Sequence, residues 1–130
     1  MVKPAMRSKR GFTLIELLVV LAIVATLLAI AAPRYFSSLD RARDSALRES
    51  LFVMRDAIDK YHGDTGRYPD SLDELVAKRY LRKLPPDPVT DSVDTWVALP
   101  PPAGDAAGRV YDIKSGAPGN GADGQPYAEW

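Results

Sequence analysis

From Phe12 to Ala32 the chain runs for 21 residues with one charge, Glu16, and from Leu17 to Ala32 with none. As an α-helix rising about 1.5 Å per residue, this stretch would measure roughly 31 Å, the thickness of a bilayer's hydrocarbon core. It is apolar all round, which a soluble surface helix is not. Met1–Gly11 ahead of it carries Lys3, Arg7, Lys9 and Arg10 and no acid. Of 17 basic and 17 acidic residues in the 130-residue chain, that leaves 13 bases against 17 acids beyond the first eleven positions. Basic, then apolar, then acidic is the order of a segment inserted with its N-terminus in the cytoplasm.

Three fates fit such a segment: a transmembrane anchor, a secretory signal peptide cut after Ala29-Ile30-Ala31, or a leader cut before the apolar run. Glu16 separates them. A carboxylate inside a membrane helix costs about 2.5–3.5 kcal/mol on insertion scales and calls for a partner, which a discarded signal peptide has no use for. A tolerated polar residue near the interface is the plainer alternative. The zero formal charge argues against a nucleic-acid binder that grips phosphates broadly. With no Cys and a single His (His62), disulfides, multi-His metal sites and thiol catalysis are excluded, and a Ser-His-Asp hydrolase is disfavoured.

The run Lys9-Arg10-Gly11-Phe12-Thr13-Leu14-Ile15-Glu16, followed by the apolar stretch and Pro33, resembles the processing site of type IV pilin-like proteins. That group includes the pseudopilins of type II secretion. The resemblance implies that a prepilin peptidase cuts between Gly11 and Phe12, that Phe12 is then N-methylated, and that Glu16 pairs with the N-terminal amine of a neighbouring subunit. The chemistry of the residues agrees. Gly11 lets an extended backbone enter a protease site closely. The freed α-amine, with a pKa of about 7.7–8.0, is a cation at neutral pH. In lipid it needs an anion, and Glu16 supplies one.

Pro33 predicts a bend near Ala29–Pro33. Beyond it Phe36, Leu39, Leu47, Leu51, Met54, Ile58 and Tyr61 recur at helical spacing, interrupted by Arg43, so the helix is expected to reach about His62 and span roughly 75 Å. Asp44–Arg48 and Asp56–Lys60 stand acid-first at i,i+4 on what reads as the exposed face. Ser71 and Glu74 form a capping-box pattern opening a short helix to about Arg79. Asp94–Leu99 and Arg109–Lys114 read as strands, with a last short strand at Tyr127–Trp130. Tyr61, Tyr68 and Tyr80 read as core, His62 as a helix-end or solvated residue, Arg41, Arg43 and Arg48 as a solvated face, and Pro100–Pro102 as a stiff loop.

Arg67-Tyr68-Pro69, Leu84-Pro85-Pro86-Asp87-Pro88, Val110-Tyr111-Asp112 and Trp130 extend the likeness to the major (G-type) pseudopilin family over nearly the whole chain. The fold it implies is α+β and pilin-like: a long N-terminal helix, half of it transmembrane, packed on a small antiparallel sheet. The implied divisions are a cleaved leader (1–11), a membrane and assembly helix (12–33) in which Glu16 and Pro33 serve assembly, and a periplasmic head (34–130). Calcium is the one cofactor the resemblance implies, in the loop Ser115–Gln125, with Ser115, Asn120 and Asp123 as the nearest matches; a Gly-rich loop without metal is the alternative. The implied role is structural and not enzymatic, as a subunit of a homo-oligomeric filament, the pseudopilus of a type II secretion system. The implied partners are membrane lipid, prepilin peptidase, other pseudopilins, an assembly platform and its ATPase. The inner membrane is the implied location, single-pass, with the N-terminus cytoplasmic, the head periplasmic and the assembled filament in the periplasm. A type IV pilin or minor pilin is the alternative within the class, and a membrane-anchored periplasmic binding module the alternative outside it.

Overall fold

The computed structural model describes Val2, Pro4, residues 11–103 and residues 107–130. The chain divides into two units, Met1–Ser37 and Ser38–Trp130. One helix, α1 (Leu14–Thr65), contributes to both.

In the first unit α1 has no apolar face hidden. Leu14, Leu17, Leu18, Leu21, Leu27 and Ile30 each leave more than half of their surface uncovered. The hydroxyl of Thr26 donates to the Ala22 carbonyl at 2.8 Å, so it presents no unmet donor among the aliphatic side chains. The helix continues through Pro33. Among the described residues α1 is the one helix long and apolar enough to cross a membrane, and none of its apolar stretch is buried.

In the second unit α1 buries Asp44, Leu47, Leu51, Met54, Ala57, Ile58 and Tyr61. Steps of three and four put these on a single stripe. Leu75, Leu81, Val110, Ile113, Ala117 and Tyr127 complete the core against it. The helix passes Gly63 and stops at Thr65, three residues later than its sequence predicts. Thr65 Oγ1 donates to the Tyr61 carbonyl at 2.7 Å. Gly66, at φ 71°, then takes the left-handed turn that ends the helix, its N–H on the His62 carbonyl at 2.8 Å. Phe36 and Leu39 belong to the predicted stripe but stay exposed, at 62% and 36%.

Helix α2 (Leu72–Ala77) opens as a capping box: Ser71 Oγ accepts from Glu74 N–H at 3.2 Å. Glu74 reaches back one residue further than the motif requires, accepting from Asp70 N–H at 2.8 Å. Strands β1 (Trp96–Leu99) and β2 (Asp112–Ser115) pair antiparallel, Trp96 opposite Ser115 and Leu99 opposite Asp112. β2 begins later than Arg109 because the N–H groups of Arg109 and Val110 both go to the Pro69 carbonyl, at 3.1 and 2.9 Å. The predicted strand at Tyr127–Trp130 is instead a single 3₁₀ turn, Tyr127–Glu129. Glu129 N–H turns back to the Pro126 carbonyl and Trp130 N–H to that of Tyr127. The pull of the Tyr127 side chain into the core decides against an extended strand.

Candidate functional site

Thr13 and Glu16 form a reciprocal pair at the start of α1. Thr13 Oγ1 accepts from Glu16 N–H at 3.2 Å, and Glu16 Oε2 accepts from Thr13 N–H at 3.0 Å. This is a capping box, readable in Thr13-Leu14-Ile15-Glu16, and it meets two of the donors that every helix N-terminus leaves open. It also holds a carboxylate at the positive end of the helix dipole. Gly11 and Phe12 lie outside the helix and are exposed, Phe12 at 92%. A side chain at Gly11 would meet nothing within 4 Å. The peptide bond between them is therefore open to an enzyme. Lys9 and Arg10, the basic pair of the motif, lie outside the described residues.

A second polar cluster joins α1 to the C-terminal segment. Asp44, 8% exposed, accepts from Tyr127 Oη on one carboxylate oxygen and from Ala122 N–H on the other, both at 2.7 Å. Burial first, and the Asp44 carboxylate second, push the Tyr127 phenol up to about 12. One turn on, Arg48 pairs with Asp123 at 3.0 Å and lies 4.4 Å over the Trp130 ring. Two turns beyond, Arg55 donates to Asp112 at 2.9 Å, to the Ile113 carbonyl at 2.9 Å and to the Trp130 backbone oxygen at 2.8 Å. The predicted Asp44–Arg48 pair thus gives way to bonds with the C-terminal segment, whereas Asp56–Lys60 forms at 2.8 Å. The sequence does not mark Asp44, Arg55 or Tyr127 as joining α1 to the C-terminal segment, because each bonds to a partner about 60–80 residues away.

The residues matched to a calcium loop have other partners. Ser115 Oγ donates to the buried Asp87 carboxylate and accepts from Ala117 N–H at 3.1 Å. Asn120 bridges Pro126 through its backbone. Asp123 accepts from Gln125 N–H at 3.0 Å beside its ion pair with Arg48. Among the described residues no three His, Cys, Asp or Glu side chains converge as a metal-binding group. A hard cation that takes six to eight oxygens does not fit this donor set.

Of the remaining residues, Tyr61 is buried with its hydroxyl on Glu74, and Tyr80 donates to Asp64 at 2.7 Å. His62 stacks on Tyr68, ring centroids 4.2 Å apart and 16° from parallel. Its role is packing at the end of α1.

Residues 6–32 match the family model of the prokaryotic N-terminal methylation motif. That match covers Gly11 and Phe12, the Thr13–Glu16 box and the apolar stretch of α1 together. The type II secretion system core protein G of Pseudomonas aeruginosa is 34% identical over 98 residues, covering 63% of this chain and 69% of that one. Core protein G of Klebsiella michiganensis is 31% identical over 98 residues with the same coverage. The type IV major pilin protein PilA of Myxococcus xanthus is 36% identical over 66 residues, 51% of this chain and 30% of that one. No solved structure matches. The chain belongs to the type II secretion system core protein G family.

Proposed function

We propose that the chain is a structural subunit of a pilin-like filament, the pseudopilus of a type II secretion system. One observation carries the reading: an exposed apolar helix, long enough to cross a membrane, whose lone carboxylate, Glu16, sits in a capping box next to the Gly11–Phe12 bond. Cleavage there by a prepilin peptidase leaves the Thr13 N–H intact, so the box survives processing. The new Phe12 amine, after methylation, is a cation at the helix start. In a stack of copies the amine of one subunit meets Glu16 of the next, so the carboxylate measures the axial offset at which a subunit docks. A head-to-tail contact of this kind does not close on itself and grows a fibre. Until assembly the helix anchors the subunit in the inner membrane, N-terminus cytoplasmic and head periplasmic. Other pseudopilins, a membrane platform and an ATPase complete the machine, and the chain itself catalyses nothing.

The test has two arms. Mass spectrometry of the mature protein is expected to find an N-methylated Phe12. Glu16→Ala is expected to abolish filaments while the head unfolds at the wild-type temperature. A cut after Ala31, or wild-type filament yield from Glu16→Ala, overturns the reading.

A further inference from the structure

Between α1 and the C-terminal loop lies a cleft of about 300 Å³ lined by Arg41, Asp44, Ser45, Arg48, Ala122 and Asp123. It contains two guanidinium groups against two carboxylates. Asp44 uses both oxygens on protein donors, Ala122 N–H and Tyr127 Oη. Asp123 does likewise, with Gln125 N–H on one oxygen and Arg48 on the other. The formal charges already cancel, and each carboxylate oxygen has a protein hydrogen directed at it. A divalent ion entering here would face two guanidinium cations, Arg48 held on Asp123, and would have to displace bonds already made.

We propose that Arg48 supplies from the protein the positive charge that a bound calcium would bring, so that the loop Gly116–Trp130 closes on α1 through Asp44, Arg48 and Arg55 without a metal ion. The spacing supports it. Residues 44, 48 and 55 differ by four and seven, so all three side chains leave one face of α1. They fix three successive points of the C-terminal segment: Ala122 and Tyr127, then Asp123 and the Trp130 ring, then the Trp130 backbone oxygen. The loop tightens further on itself, Gly121 N–H bonding to the Gln125 carbonyl at 2.9 Å and Gly124 N–H to that of Gly121 at 3.0 Å. Arg48 does two things that a lysine could not combine as well. One guanidinium nitrogen bonds Asp123 Oδ2 at 3.0 Å while the central carbon lies 4.4 Å over the Trp130 ring.

Amide hydrogen exchange across residues 116–130 of the full chain in detergent micelles tests this. Wild-type exchange is expected to be the same with millimolar calcium chloride as with a chelator. Arg48→Ala is expected to speed exchange about fivefold, the effect of one exposed ion pair plus one cation–π contact, and added calcium is expected not to restore it. Should Arg48→Ala unfold the whole head, Arg48→Lys is measured in the same way and is expected to exchange faster than wild type in both solutions. Calcium-dependent protection of the wild-type loop overturns the proposal. So does exchange at the wild-type rate in the Arg48 variants.

Discussion

Tyr127→Phe probes the hydrogen bond between buried Tyr127 and buried Asp44, made at 2.7 Å across 83 positions of sequence. The substitution keeps the ring, with its edge-to-face contact to Trp130 at 5.0 Å, and removes one oxygen. Asp44 keeps the Ala122 N–H on its other oxygen but loses its second donor. A hydrogen bond to a charged group contributes about 1.5–3 kcal/mol, and at a buried carboxylate the upper part of that range is expected. For a unit of this size about 2 kcal/mol corresponds to a midpoint about 10 °C lower. The assay is urea and thermal unfolding of the full chain in micelles, followed by tryptophan fluorescence. Tyr127→Phe, Asp44→Asn and the double variant close a cycle whose coupling is expected to exceed about 1 kcal/mol. Alkaline pH gives a second readout. The phenol's value is raised from 10.0 to about 12 in the folded chain. Its contribution is therefore full below pH 10 and is lost as pH rises through 12, and Tyr127→Phe removes that dependence. A loss under about 0.5 kcal/mol, with the alkaline limb unchanged, would refute the reasoning.

Gly121→Ala places a Cβ 2.2 Å from Trp130 Cζ2 and 3.1 Å from Asp123 Oδ1; the expected cost, read by the same unfolding assay, is about 1–3 kcal/mol, from an overpacked contact that forces the indole to shift. Glu74 is held below the usual carboxylate range, first by the Tyr61 hydroxyl and then by Asp70 N–H. Its contribution is present above about pH 4.5 and is lost as pH falls through the depressed value. Glu74→Gln is accordingly expected to flatten the acid limb of the stability–pH curve.

The sequence made the parts legible that depend on near neighbours. The apolar run, the Ser71 cap and the Leu47–Tyr61 stripe are each set by residues within about four positions, and each stands where the sequence puts it. What it hid depends on distance along the chain. Asp44 reads as the acid of a surface pair, because Arg48 follows at helical spacing. Its burial becomes necessary only once Tyr127 and Ala122 lie over it. Tyr127–Trp130 carries strand-forming side chains, yet the fixed geometry of Pro126 and the anchoring of the phenol curl it into a turn. The second strand slips to Asp112 because the Pro69 carbonyl takes two N–H groups that an alternating pattern would assign to the sheet. The Thr13–Glu16 box is also local, legible in the spacing of Thr13-Leu14-Ile15-Glu16, where the charge of Glu16 in an apolar run is the more conspicuous signal.

The Thr13–Glu16 box gives the carboxylate proposed for docking a partner within its own subunit. An isolated anion in lipid would drive its helix out of the membrane or take up a proton. Glu16 accepts from Thr13 N–H at the positive end of the helix, which offsets part of the cost of placing a carboxylate there. The partner in the single subunit is a neutral amide, whereas the partner in the proposed filament would be an ammonium group, which adds the attraction between two full charges to the hydrogen bond. On that proposal, docking would strengthen a bond already made instead of rescuing an unpaired ion. The waiting subunit can remain stable in the membrane and still prefer the filament. By the same logic, losing the Thr13 hydroxyl should loosen the helix start without removing the anion, a milder defect than losing Glu16. On the proposed docking role, the carboxylate and its cap would thus contribute separately, one to assembly and one to the helix start.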